Sequence, residues 1–371
     1  MTEASHISIP RHLLPEDGRF GSGPSRIPTD AVAALAATQT SYMGTSHRRP
    51  TVKSVVGSIR SGLTELYDLP DGYEVVLGIG GATAFWDVAV AGLIESASAH
   101  FTCGEFSGKF ASAVAAAPHL DEPTVIDAPP GSAPTPIAVE GVDAAAFIHN
   151  ETSTGVMAPF DRLSDALVLV DATSAAGAIA YDVSTVDAYY FSPQKALASE
   201  GGLWVAFLSP ASIERATALA STDRWIPPFL SLTTAIDNSR KDQTYNTPAL
   251  ATLWLLDHQI RTVLDAGGLA SAASVSHASS DHLYRWAEAS DVAQPFVSDP
   301  ALRSPTVLTI DLSDDVSADS VSAHLRANGI VDTESYRKLG RNQLRIATFP
   351  ATPTEDVQAL TACIDHVIGA M

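Results

Sequence analysis

The two stretches "ALVLVDATSAAG" (166–177) and "YYFSPQKALASEGGLWV" (189–205) decide how this chain folds. Each opens on an unbroken apolar run, and each run ends in a polar cluster: Asp171 closes the first, and Ser192, Pro193, Gln194 and Lys195 follow the second. Continuous rather than alternating apolarity predicts strands covered on both faces, as in a parallel or mixed sheet between helix layers. In open α/β sheets the site residues gather where the strands end. Asp171 and Lys195 are therefore expected at one edge of one sheet. Glu200, Gly201 and Gly202 then mark a turn into a further strand, "GLWVAFL" (202–208).

Working outward, the same kind of run recurs in "YEVVLGI" (73–79), "AHFTC" (99–103), "PTVIDA" (123–128) and "AAAFIHN" (144–150). Helical signals alternate with them. Thr29 and Asp30 open a helix, and Val52, Val55, Val56, Ile59, Leu63 and Leu66 repeat at three- and four-residue spacing along one helical face. A long helix is predicted from "NTPALATLWLLDHQIRTVL" (246–264), with Thr247 as N-cap, Pro248 in its first position and a stop at Gly267 and Gly268. It is the candidate link between two domains. The rest reads as a small α+β unit with strands "TVLTIDL" (306–312) and "QLRIATF" (343–349), its last helix opened by a capping box of Thr352, Pro353 and Glu355. The expected organisation is a segment 1–28 lining the site, a large α/β domain over 29–267 and a small domain over 268–371.

With 46% hydrophobic and 17% charged residues, the chain reads as globular. Its 22 Lys and Arg against 42 Asp and Glu give a net charge of −20, which argues against nucleic-acid or anionic-membrane partners. An anionic substrate would need a local basic cluster. Cys103 and Cys363 make no metal-ligand spacing and no disulfide framework, so no metal is expected and a reducing cytoplasm is the simpler location. The first twenty residues lack a cationic stretch followed by an apolar core. No apolar run approaches the ~18 residues a membrane span requires.

Several constellations could carry chemistry. Gly80, Gly81, Ala82 and Thr83 fall between a strand and a helix, where small residues let backbone N–H groups approach a phosphate; a purely structural tight turn explains them equally well. "GTSHRRP" places His47, Arg48 and Arg49 together, either as an anion site or as a solvated loop. Arg337, Lys338, Arg341 and Arg345 form a second basic cluster, and Arg345 lies inside an apolar strand, where a guanidinium points to a carboxylate or phosphate. Asn150, Glu151 and Thr152 end a strand, and Tyr245, Asn246 and Thr247 precede the long helix; turn and cap chemistry suffice for both. An acid delivered by one apolar run and, 24 residues later, a lysine delivered by another form the arrangement by which one large enzyme class holds pyridoxal phosphate, the lysine binding its aldehyde and the acid pairing with the ring nitrogen.

Nearly end to end, through "GSGPSR", "SYMGTSHRRP", "GGATAFWD", "HNETSTGV", "DATSAAG", "YYFSPQK", "QTYNTPA" and "NGIVDTESYRKLGRNQLR", the chain resembles the phosphoserine aminotransferase family, in its actinobacterial branch. That resemblance implies a fold-type-I pyridoxal-phosphate transferase: α/β, with a mostly parallel seven-stranded sheet between helices and a small C-terminal α+β domain. It makes Lys195 the Schiff-base lysine and Asp171 the ring-nitrogen partner. Ala82 and Thr83 fall on the cofactor-phosphate turn, Gln194 on the phosphate and Thr152 on the cofactor hydroxyl. Phe106 falls where many relatives stack a tryptophan on the ring. Asn246 and Thr247 match residues reaching the cofactor phosphate of a neighbouring subunit, which implies a homodimer with shared sites. For substrate, the neighbour's His47 and Arg48 take the phosphate, Arg345 clamps the α-carboxylate, and Ser22 lies on the N-terminal lining. Lys338 stands where many relatives carry histidine, and either it or Arg341 completes the phosphate pocket.

The implied reaction moves an amino group from L-glutamate to 3-phosphohydroxypyruvate, giving O-phospho-L-serine and 2-oxoglutarate in serine biosynthesis, with 4-phosphohydroxy-L-threonine of pyridoxine biosynthesis as a further substrate to consider. Four rivals stand beside it. An alanine–glyoxylate aminotransferase shares the fold; a cysteine desulfurase needs a loop cysteine that neither Cys103 nor Cys363 supplies; a nicotinamide-dependent dehydrogenase leaves Lys195 without a role; and a cofactor-binding dimer without catalysis leaves the intact Lys195 and Asp171 unexplained.

Overall fold

The computed structural model describes residues 6–371, so the first five residues of the segment expected to line the site lie outside it. The chain runs α1 (Thr29–Ala37), α2 (Pro50–Leu66), β1 (Glu74–Ile79), α3 (Gly81–Gly92), β2 (Ser98–Thr102), α4 (Glu105–Ala115), β3 (Thr124–Asp127), β4 (Ala144–Ile148), β5 (Asn150–Glu151), β6 (Val156–Met157), β7 (Leu167–Asp171), β8 (Ala188–Phe191) and β9 (Leu203–Leu208). It continues with α5 (Pro210–Ala220), α6 (Leu232–Ser239), α7 (Leu250–Asp265), α8 (Gly268–Ala289), β10 (Ala293–Pro295), β11 (Val307–Leu312), α9 (Ala318–Ala327), β12 (Gln343–Ala347) and α10 (Thr354–Ala370). The seven apolar runs read as strands of the large domain form one sheet, in the order β1-β9-β8-β7-β4-β2-β3. β9 is antiparallel to both its neighbours, and the other pairs are parallel.

Burial on both faces explains the continuous apolarity. Val168, Val170, Tyr189, Phe191, Val205 and Phe207 pack with α2 and α7 on one side. The alternate residues Leu167, Leu169, Tyr190, Trp204 and Ala206 pack with α3, α4, α5 and α6 on the other. Each large side chain so buried contributes about 1.5–3 kcal/mol. A three-stranded sheet, β10-β11-β12, carries α8, α9 and α10. The chain before α1 crosses between the two sheets: Phe20 N–H bonds the Val331 carbonyl at 3.3 Å, and Ser25 N–H bonds the Gln194 carbonyl at 2.8 Å. No helix among the described residues is long and apolar enough to cross a membrane.

Two caps differ from expectation. The long helix begins at Leu250 behind Ala249, not at Thr247, because the Thr247 hydroxyl meets His47 Nδ1 at 3.2 Å instead of a helix amide. The last helix begins at Thr354 with Pro353 as N-cap and no side-chain cap, one residue later than expected. The break at Gly267 is real: φ is +104° there, a left-handed conformation suited to glycine, and α8 starts at the next residue.

Gly78 on β1 lies opposite Trp204 on β9, and a Cβ at this position would stand 2.1 Å from the indole. The bare backbone is the space in which Trp204 lies, packed 5.1 Å from Phe85. Gly78→Ala should therefore destabilise the fold by about 1–3 kcal/mol through overpacking, read as a lower urea midpoint, with partial recovery in Gly78→Ala/Trp204→Leu. An unchanged midpoint in the single variant would mean that the indole moves aside without cost.

Candidate active site

A cavity of about 500 Å³ opens where the parallel strands end. Asp171 is the last residue of β7, Lys195 follows β8, Thr152 follows the short β5, and Gly80 to Thr83 form the turn from β1 into α3. From the small sheet, Arg345 on β12 and Tyr336 before it reach the same space, and Ser22, Gly23 and Pro24 line it from the N-terminal segment. The site thus draws on both sheets.

Lys195 is 7% exposed, and its Nζ donates to Thr152 Oγ1 at 2.6 Å. Burial lowers its pKa to about 8, against the opposing pull of Asp171 and Glu151. Much more of this amine is therefore neutral near neutrality than in a solvated lysine. Asp171, 6% exposed, is pushed upward chiefly by burial, while donors hold it in place: Trp86 Nε1 at 3.1 Å and Thr173 N–H at 2.9 Å. Phe106 stands beside them, its ring centroid 5.3 Å from Lys195 Nζ. Gly23 fits against the lysine stem, since a Cβ there would come within 2.9 Å of Lys195 Cε. Ser25 Oγ donates to the Lys195 carbonyl at 2.6 Å.

Phe106 owes its place to a buried acid. α4 has no side-chain N-cap of its own, because Gly104 precedes it. Instead Glu151, 0% exposed, accepts from Phe106 N–H at 3.1 Å, Ser107 N–H at 3.0 Å and Ser107 Oγ at 2.9 Å. An anion at a helix N-terminus satisfies orphan amides and the helix dipole together. Gly104 permits the approach, for a Cβ would meet Glu151 Cγ at 2.6 Å.

Arg345 is nearly without partners. Its Nη1 reaches the Thr152 carbonyl at 3.4 Å, its guanidinium lies 5.3 Å from the Tyr336 ring centroid, and its buried Nε has no partner among the described residues. Burial pulls its pKa downward, so the site favours an anion beside it.

Of the residues expected at the site, Ser22, Ala82, Thr83, Phe106, Thr152, Asp171, Gln194, Lys195 and Arg345 line one cavity. His47, Arg48, Asn246, Thr247, Lys338 and Arg341 do not line it. His47 meets Thr247, and Arg48 Nη1 meets Gln243 Oε1, in an exposed cluster of their own. Lys338 pairs with Glu105, and Arg341 pairs with Asp311 at 3.1 Å and lies 4.4 Å from the Phe296 ring centroid. Sequence reasoning gave no role to Trp86, Tyr336 or Glu151. Only Trp86 left a trace, as an indole N–H in an apolar helix that must find an acceptor.

The cavity fits pyridoxal phosphate on its donor set. Gly80 and Gly81, with φ of +115° and +75°, open the N-terminus of α3 onto the cavity as a phosphate cradle. Asn150 Oδ1, Thr173 Oγ1 and Arg345 Nε are buried polar atoms without partners among the described residues, around a depressed amine and a raised carboxyl group. Cys103 and Cys363 are both buried with thiols pushed upward by burial, Cys363 to about 11, and neither lines the cavity. Neither is a ready nucleophile.

The profile of the aminotransferase class-V family matches residues 120–334. A phosphoserine aminotransferase of a Nocardioides strain is 57% identical over 99% of both chains. A putative phosphoserine aminotransferase of Mycobacterium leprae is 55% identical over 98% of this chain and 97% of its own. The crystal structure of a phosphoserine aminotransferase from Cytophaga hutchinsonii superposes with a TM-score of 0.87 at 26% identity, covering 94% of this chain and 99% of its own. Strand-end Asp171 and Lys195 in one cavity, on a fold shared with these proteins and at such identity over the full length, mean that the chain belongs to the class-V aminotransferases and, within them, to the phosphoserine aminotransferase family.

Proposed function

We propose that this protein is a pyridoxal-phosphate-dependent transaminase that moves the amino group of L-glutamate to 3-phosphohydroxypyruvate, giving 2-oxoglutarate and O-phospho-L-serine. One observation carries the reading: one cavity holds a lysine amine, a carboxyl group and a guanidinium with no carboxylate partner among the described residues. An amine to bind an aldehyde, an acid to hold a ring proton and a cation to hold a carboxylate are the three needs of amino-acid transamination.

When bound, pyridoxal phosphate supplies an aldehyde to take up nitrogen and a protonated ring that withdraws electrons from the substrate Cα. Asp171 holds the proton on the ring nitrogen, and Trp86 and Thr173 N–H keep its carboxylate in position. Phe106 would cover the ring, and the amides of the Gly80–Thr83 turn, with Gln194, would hold the phosphate. Arg345 takes the α-carboxylate of the substrate. Lys195 would hold the cofactor aldehyde and, as a free amine, would take the substrate Cα proton, a transfer for which its pKa, lowered to about 8 by burial, suits it. The same residues would serve the second half of the reaction, in which the 2-oxo acid takes up the amino group.

His47, Arg48, Asn246 and Thr247 serve the site of a second copy of the chain, so the working unit is a homodimer. Their support is their clustering at an exposed surface, outside their own chain's cavity. The anionic side chains of both substrates then lie between His47 and Arg48 of one chain and Lys338 of the other, since the exposed pair of Lys338 with Glu105 gives way more easily than that of Arg341 with the buried Asp311. 4-Phosphohydroxy-L-threonine presents the same phosphate and carboxylate and belongs to the same substrate class. Two buried, unpaired thiols support a reducing, cytoplasmic location.

Lys195→Ala should abolish transamination between glutamate and 3-phosphohydroxypyruvate, because no other lysine among the described residues lines the cavity. Near wild-type turnover by the purified, folded variant would sink the assignment. Arg48→Ala homodimers should be almost as inactive. Refolding equal amounts of the two variants together makes about half the dimers mixed, each with one intact site, so roughly a quarter of wild-type activity should return. Heterodimers that form without recovering activity would assign Arg48 to its own chain's site or to none.

A further inference from the structure

Two contacts join the start of α4 to the loop before β12. The Phe106 and Tyr336 rings, both lining the cavity, lie 6.1 Å apart, and beside them Lys338 Nζ bonds Glu105 Oε1. The ion pair therefore bridges the two sheets at the edge of the cavity. Its halves are unequal. Glu105 is fixed: its N–H bonds Ser153 Oγ at 3.0 Å, and the next two amides are held by Glu151. Its carboxylate has a second cation one turn along, Lys109 at 3.1 Å. The Lys338 side chain is 67% exposed and has no other acidic partner among the described residues. Glu105 can thus release Lys338 and stay paired, while the freed ammonium becomes a mobile charge facing a cavity that already holds Arg345.

We propose that Glu105 is an internal competitor for Lys338: it holds the ammonium at the cavity edge in the resting enzyme, and the anionic side-chain group of a substrate must take Lys338 from it to bind. This rests on the reading of Lys338 as a ligand for that anionic group. A carboxylate already on Lys338 reduces the fraction of enzyme ready to bind, and the apparent affinity falls by that fraction whatever the anion. An exposed ion pair is weak, so the latch costs affinity without blocking the site. Both substrates must free the same ammonium and are penalised by the same factor.

The test is Glu105→Gln in the full-length, cofactor-loaded enzyme, assayed at low ionic strength with O-phospho-L-serine and, separately, L-glutamate. KM should fall roughly two- to fivefold for both, by the same factor, with kcat little changed. In a Lys338→Gln background, where KM is already raised, Glu105→Gln should have no further effect. Unchanged KM values in the single variant would overturn the proposal. So would a gain that persists without Lys338, or one much larger for phosphoserine than for glutamate, because either would be simple repulsion of anions by Glu105. Wild-type enzyme that does not turn over phosphoserine at all would overturn the functional reading itself, a result distinct from each of these.

Discussion

Two opposite charges, Asp171 and Lys195, are withdrawn from water at the edge of one sheet, and much of the surrounding structure answers to that constraint. Burial alone would neutralise both groups, and the opposite shifts of their pKa values record the tendency. What keeps an acid usable there is a set of fixed donors. Trp86 and the Thr173 amide hold the carboxylate, and Thr152 takes the lysine amine. Because β7 and β8 are adjacent and parallel, both groups emerge from the same edge without special loops.

The same requirement reaches outward. Thr152 faces Lys195 while its neighbour Glu151 anchors the start of α4 and with it Phe106, so one short loop positions the lysine's partner and the aromatic wall together. The carbonyl of Thr152 also meets Arg345 from the other sheet. The N-terminal segment closes the remaining side, with Gly23 against the lysine stem and Ser25 on its carbonyl. Arg26 of that segment pairs with Asp356 on α10 at 2.7 Å, tying the cover to the small sheet's helices.

Much of this was legible in the sequence for identifiable reasons. The central strands β1, β4, β7, β8 and β9 were visible because helices cover both faces and leave no polar alternation to confuse with a helix pattern, whereas β3, at the sheet edge, is largely exposed. Asp171 and Lys195 stood out as polar residues closing apolar runs. β10 escaped notice because three residues ending in a proline carry no period, and it is recognisable only by its pairing with β11. At Thr247 local propensity names a hydroxyl that can cap a helix, but His47 already engages it, and at Thr352 the helix starts one residue later, behind Pro353. Glu151 illustrates the limit most clearly. Nothing in "HNETSTG" distinguishes a turn residue from an acid that caps a helix far away in sequence, because the capped helix and its Gly104 are known only once the sheet brings them together.

The central claim, that a buried acid holding a proton on the cofactor ring drives the chemistry, is tested most directly by Asp171→Asn in a single-turnover reaction with O-phospho-L-serine followed through the cofactor's absorbance. A neutral amide keeps the shape and can still accept from Trp86 or Thr173, but it cannot keep the ring nitrogen charged. The account predicts a folded protein that still takes up pyridoxal phosphate and carries out the proton transfer at least about a hundredfold more slowly. An undiminished rate would contradict it.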